Sequence, residues 1–172
     1  TSMTLAGDFP AIRENAFLNC SDLTSVVIPE GVTSIGENAF KNCASLTSVT
    51  VTGGLKDIEY GAFKDCSALT SMTIPDSVTH IGANAFEGCT GLAQEDGVTY
   101  VGNWIVACDE SVAEVVCREG TIGIANGAFE DCFHMKAITI PTSLDFIGDS
   151  AFYGCPLEEL KIPEGFTEVG YE

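Results

Sequence analysis

The sequence predicts a mainly-β solenoid of stacked parallel strands, and three observations carry that prediction. The phrase Ala-Phe-x-x-Cys begins at Ala16, Ala39, Ala62, Ala85, Ala128 and Ala151, in steps of 23 residues apart from one of 43. A fixed period in this range marks a repeat architecture. The intervening apolar residues also keep their offsets: Leu23, Val26, Ile28, Val32 and Ile35 return as Leu69, Met72, Ile74, Val78 and Ile81, and as Met135, Ile138, Ile140, Leu144 and Ile147. Lastly, no single unit of this size can bury such residues around a closed loop, so neighbours must stack above and below it.

Each element follows from its own residues. Val26 and Ile28, Val49 and Val51, Met72 and Ile74, and Ile138 and Ile140 alternate with the two-residue period of a strand buried on one face. Pro29, Pro75, Pro141 and Pro163 end that strand, since proline donates no ladder bond. Gly31, Gly54, Ser77, Gly120, Ser143 and Gly165 supply a turn. A second short extended piece then runs to Ile35 and its equivalents. Asn15, Asn38, Asn84 and Ser150 are expected to N-cap a single helical or 3-10 turn, which Asn19, Asn42, Asp65, Gly88, Asp131 and Gly154 close. The result is about eight coils, two of them partial, in one domain over residues 1–172.

The 43-residue gap resolves into a regular unit at 109–131, with Arg118 in the proline position, and an irregular coil at 89–108. In the latter, "VTYVGNWIV" reads as a hairpin turning at Gly102-Asn103 and is expected to protrude from the solenoid. At the far end the coil after Cys155 is one residue short, and Glu172 falls where the next Ala-Phe is due, with no cap in sight. The expectation is a piece of a longer protein, or an end-to-end contact through uncapped terminal coils.

Composition excludes several function classes. The net charge is −18, and residues 87–172 hold 16 acids against 3 bases. Nucleic acid is therefore an unsuitable partner, because phosphate binding needs Lys and Arg. No apolar run approaches the roughly 18–20 residues of a membrane span, so no membrane insertion is expected in this segment.

The units resemble the BspA-like subclass of bacterial leucine-rich repeats, and "LTSVVIPEGVTSIGENAFKNC" and "LTSMTIPDSVTHIGANAFEGC" follow that signature at almost every position. The resemblance implies a right-handed leucine-rich-repeat solenoid. It also implies a secreted or cell-surface protein that adheres to host-matrix proteins or other cells. Members share scaffold positions rather than a binding site, so it assigns no functional residue.

The chemical candidates are few. Six of the eight cysteines share one offset and should form a reduced, buried ladder along the corner; Cys117 replaces a strand isoleucine, and Cys108 has no evident seat. Thiols in file do not converge as zinc ligands do. His80 and His134 take surface offsets, which argues against a catalytic triad. Acid pairs such as Asp109-Glu110 and Glu158-Glu159 read as solvated surface. No cofactor, metal site or enzyme activity is expected.

The outward strand columns, Ser25, Ser48, Ser71 and Val27, Thr50, Thr73, lack the aromatic and Arg anchors of protein interfaces. The six Phe residues of the repeated phrase face inward. Of the remaining aromatics, Tyr100, Trp104, Phe133, Phe146 and Tyr153 are the expected contact residues, with Tyr100 and Trp104 of the hairpin first among them. The leading function is a non-catalytic extracellular domain for adhesion or protein contact, and the alternative is a passive spacer presenting other domains.

Overall fold

The computed structural model describes residues 1–162, and the chain forms two compact units, Thr1–Ala93 and Gln94–Glu172. The expectations placed on Pro163, Gly165, Phe166 and the missing cap at Glu172 lie outside the described residues.

The first unit contains β1 (Ser2–Thr4), β2 (Ala11–Ile12), β3 (Ser25–Ile28), β4 (Ser34–Ile35), β5 (Ser48–Val51), β6 (Asp57–Ile58), β7 (Ser71–Met72) and β8 (His80–Ile81). Odd strands make one four-stranded parallel sheet and even strands another. Residues one period apart are Cα partners: Ser25 pairs with Ser48, Val26 with Val49 and Ile35 with Ile58. Register is fixed because a one-residue slip would turn Val26, Val49 and Met72 out to water. Between the sheets, Phe17, Phe40, Phe63 and Phe86 stack with centroids 5.0, 5.2 and 5.4 Å apart and planes within 14°. Phe40 and Phe63 are wholly buried, as are Ile28, Ile35, Leu46, Ile58 and Leu69.

The second unit contains β9 (Gln94–Glu95), β10 (Val98–Val101), β11 (Trp104–Cys108), β12 (Glu114–Val116), β13 (Gly123–Ile124), β14 (Ala137–Thr139), β15 (Phe146–Ile147) and β16 (Glu159–Lys161). One sheet is parallel, β12-β14-β16. The other, β15-β13-β11-β10-β9, is parallel from β15 to β11 and antiparallel through β10 to β9. Phe129 and Phe152 stack at 5.4 Å.

Two expectations about the fold are corrected. Among the described residues there are no helical or 3-10 turns, and the coils amount to about seven parallel-strand turns rather than eight. The reason lies in the corner's amides, which alternate in direction. Those of Ala16, Leu18 and Cys20 turn back three residues, to the carbonyls of Arg13, Asn15 and Phe17; those of Asn15, Phe17 and Asn19 donate to Glu37, Ala39 and Lys41 of the next turn. A 3-10 helix needs successive amides to turn back, and here every second one is committed to the neighbour. Nor are Asn15, Asn38, Asn84 and Ser150 N-caps: their φ values of 57°, 51°, 58° and 52° are left-handed, whereas a cap residue is extended. Each corner begins and ends on a left-handed residue, with Asn19, Asn42, Asp65 and Asp131 at φ 59–62° closing it. Asn and Asp tolerate that region best among residues bearing a side chain.

The strand-to-strand turns match their residues. Gly31, Gly54 and Gly120 take positive φ. Where serine stands instead, its hydroxyl donates to the preceding turn, Ser77 to the Leu55 carbonyl at 2.7 Å and Ser143 to that of Thr121 at 2.8 Å.

Candidate functional site

The corner edge carries the thiols, and the fold consumes them. All eight cysteines are free. The Sγ of Cys43, Cys66 and Cys89 donates to the carbonyl of Phe17, Phe40 and Phe63 on the preceding turn, at 3.2, 3.1 and 3.1 Å, and Cys155 does the same to Phe129 at 2.9 Å. Each thiol is thus a second donor to a phenylalanine carbonyl that already accepts the cysteine amide of its own corner, as Phe17 does from Cys20 at 3.1 Å. Cys108, at the end of β11, sits beside Cys132 as the first rung of the second unit's ladder. Its step to Cys132 is 24 residues rather than 23, which hid it from offset counting.

Their environments keep Cys66, Cys108, Cys117 and Cys155 protonated. In Cys66 the hydrogen bond with Cys43 lowers the pKa, but contact with Cys89 and burial outweigh it and push it up to about 12. Burial raises Cys117 and Cys155 to about 11, and raises Cys108 further still, with Cys132 adding to the effect. A reactive nucleophile needs the opposite shift. Among the described residues no group of three or more His, Cys, Asp or Glu is arranged to hold a metal ion. His134 engages the Glu110 carbonyl at 3.2 Å through Nδ1, and His80 lies in the β8 ladder.

The irregular coil differs from its expectation. The hairpin at Gly102-Asn103 is present, with Val101 paired to Trp104 and Gly102 alone taking a left-handed φ of 58°. It does not protrude, because β11 runs parallel to β13 and fills a regular strand position. A second tight turn at Asp96-Gly97, φ 50° and 81°, adds β9. The Asp-Gly pair is a strong hairpin signal that the reading of this coil overlooked.

Tyr100 and Trp104, the first-choice contact residues, are buried, 8% and 1% exposed. Trp104 lies over Gly123 and stacks on Phe146 at 5.8 Å and 11°. A Cβ at Gly123 would come within 2.4 Å of the indole, so the glycine makes the space. Tyr100 is held by Arg118, whose guanidinium lies 4.4 Å above its ring and whose amide donates to its hydroxyl at 3.2 Å. Arg118 also pairs with Glu95 at 3.1 Å and donates to the Gly102 carbonyl. Both aromatics and the arginine therefore fasten β9, β10 and β11 to the following turn. The signal was legible in part: Gly123 stands where Ser34, Asp57, His80 and Phe146 stand in other units.

Phe146 is half-buried beneath Trp104, while Phe133 and Tyr153 are 60% and 58% exposed. Of the five expected contact residues, these last two present rings to solvent, and both lie on the corner edge of consecutive turns.

The pattern of the BspA type leucine rich repeat region matches six times, over residues 10–96 and 99–172. This chain belongs to the BspA-type leucine-rich repeat family. No curated protein matches the chain. Among solved structures, this BspA-type chain is similar to a leucine-rich repeat protein of T. pallidum, 26% identical with a TM-score of 0.59, covering 90% of this chain and 76% of that one. It is similar also to a leucine-rich cell surface protein of Faecalibacterium prausnitzii, 33% identical with a TM-score of 0.54, covering 98% of this chain and 43% of that one. A Bacteroides ovatus leucine-rich repeat protein shares the fold at 24% identity and a TM-score of 0.56, covering 98% of this chain and 53% of that one. The BspA-type chain thus spans about half the length of two of these three proteins.

Proposed function

We propose that this BspA-type chain is a non-catalytic binding domain, secreted or displayed on a bacterial cell surface, that contacts a protein such as a host-matrix component. The observation that carries the reading is the exposure of Phe133 and Tyr153, 60% and 58% open on consecutive turns; among the other described aromatics Tyr60, at 44%, is the one comparably open, and it stands alone on its turn. Large exposed aromatics are favoured anchors of protein interfaces. Surface location is supported by the 33% identity to a cell surface protein over 98% of this chain. The non-catalytic reading is supported by thiols spent on carbonyls and held protonated. The test is surface plasmon resonance of the purified chain over immobilised host-matrix proteins, together with adhesion to cultured epithelial cells. Saturable binding that falls in the Phe133→Ala/Tyr153→Ala double variant, with thermal stability unchanged, is the expected result.

The alternative reading, a passive spacer, has an observation of its own. The first turn carries an apolar cleft of about 480 Å³ beside Met3, Phe17 and Leu23, a place for end-to-end contact with another coil. Absence of binding to any matrix protein or cell, in unaltered and variant chains alike, selects it.

A further inference from the structure

The two exposed aromatics are joined through the backbone of one acidic residue, Asp131. Asp131 donates its amide to the Tyr153 carbonyl at 2.8 Å and accepts the Phe133 amide on its own carbonyl at 2.7 Å. Its side chain leans across Gly154, where an added Cβ would meet Oδ1 at 2.7 Å. Glu130 and Tyr153 occupy the column in which, in the first unit, Lys64 and Glu87 form an ion pair; here the cation is replaced by an aromatic ring. The second unit's three described bases are engaged elsewhere, Arg118 with Glu95, Lys136 with Glu158 and Lys161 with Glu159. Among the described residues, neither Glu130 nor Asp131 forms an ion pair.

The repeat supplies an internal control, because a residue that the scaffold requires recurs at its offset. The position of Phe133 is Ser21, Ala44, Ser67 and Thr90 in the first unit, and that of Tyr153 is Leu18, Lys41, Lys64 and Glu87. Nothing in the coil demands a ring at either place. Their coincidence on adjacent turns, around a carboxylate that the chain leaves without a cation, matches one kind of visitor. Aromatic faces attract cations, guanidinium more than ammonium because it is planar and stacks, and carboxylates accept it through paired hydrogen bonds. The surrounding half of the chain, with 16 acids and 3 bases over residues 87–172, draws basic partners at long range.

We propose that the corner formed by Phe133, Asp131 and Tyr153 is a docking surface for an arginine-bearing basic segment of a partner protein. The proposal rests on the binding-domain reading above and names the chemistry of what is bound. Its test uses two fluorescein-labelled dodecapeptides, one alternating glycine with arginine and one alternating glycine with lysine, titrated with the full chain at about 150 mM NaCl and followed by anisotropy. The arginine peptide is expected to bind several-fold more tightly than the lysine peptide. Phe133→Ala/Tyr153→Ala, which leaves net charge untouched, should weaken the arginine peptide about tenfold. Glu130→Gln/Asp131→Asn should weaken both peptides, while the charge-matched control Glu30→Gln/Asp76→Asn on the first unit should stay within about twofold. Unchanged affinity in the aromatic double variant, or equal losses in the two charge-matched variants, overturns the proposal. Binding to matrix or cells that ignores Phe133 and Tyr153 removes this docking surface and leaves the adhesion reading standing. The expected peptide results without matrix or cell binding do the reverse.

Discussion

Single atoms decide two features of this chain. The missing side chain at Gly123 admits the indole of Trp104, and a Cβ there would approach the ring to 2.4 Å. Gly123→Ala is therefore expected to destabilise the chain by about 1–3 kcal/mol, the usual penalty of overpacking. Because Trp104 is the one tryptophan, its emission should shift to the red as the ring is displaced, and a urea titration followed by that emission measures both effects. The thiols make a prediction with a definite sign. Their pKa values are raised in the folded chain, from 9.0 to about 12 for Cys66 and about 11 for Cys117 and Cys155. The unfolded chain therefore releases these protons first. Their contribution to stability is whole below pH 9 and is lost as pH climbs from 9.0 toward 12. Melting temperature should stay level from pH 7 to about 8.5 and fall beyond it, and alanine at Cys66 and Cys117 should flatten the fall. A melting temperature indifferent to pH up to about 11 would contradict the protonated ladder.

At the scale of elements, the periodic strands and the ring column were readable, and in the irregular coil the Gly102-Asn103 hairpin was readable while its place in the sheet was not. Val26, Ile28, Phe40 and their equivalents announced strands and an inward ring column because the same burial recurs every 23 residues. The corner misled because Asn and Asp serve equally as helix caps and as left-handed residues. Inter-turn bonds such as those of Phe17, Phe40 and Phe63, together with the left-handed φ of the flanking residues, exclude the helix, and offsets do not display them. In the irregular coil, Tyr100 and Trp104 looked like surface anchors since no neighbouring unit shows what covers them. Phe133 and Tyr153 were legible for the converse reason, each placing a ring in a column where the first unit has none. The clamp on that coil yields the prediction for this scale. Arg118 holds Glu95, the Gly102 carbonyl and the Tyr100 ring at once, so Arg118→Ala should cost about 1–2 kcal/mol and speed amide exchange in β9 and β10 ahead of β13 and β15. Arg118→Lys should recover less than half of that loss, because an ammonium lacks the planar fork that serves all three partners.

Across the whole molecule, repetition specifies the scaffold and its exceptions specify chemistry, and charge is the largest exception. Net charge is −18, and every base of the second unit lies beside an acid one turn or two residues away. Two opposing effects of salt follow. Screening weakens the four ion pairs found among the described residues, whose side chains are 22–71% exposed, and exposed pairs contribute at most about 1 kcal/mol each. Screening also relieves repulsion among the many unpaired carboxylates, which folding concentrates in a small volume and unfolding disperses. At about 10 mM salt the Debye length is about 30 Å, enough for charges several turns apart to repel; at about 500 mM it is under about 5 Å. With 25 acids against 7 bases, repulsive pairs outnumber attractive ones, so the second effect wins. Melting temperature should rise by several degrees as NaCl is increased over that range, a few degrees corresponding to about 1 kcal/mol in a chain of this size. Sodium chloride and potassium chloride should act alike if screening is the cause. A fall in melting temperature would instead mean that the inter-turn ion pairs, not the unpaired acids, dominate the electrostatics of the folded chain.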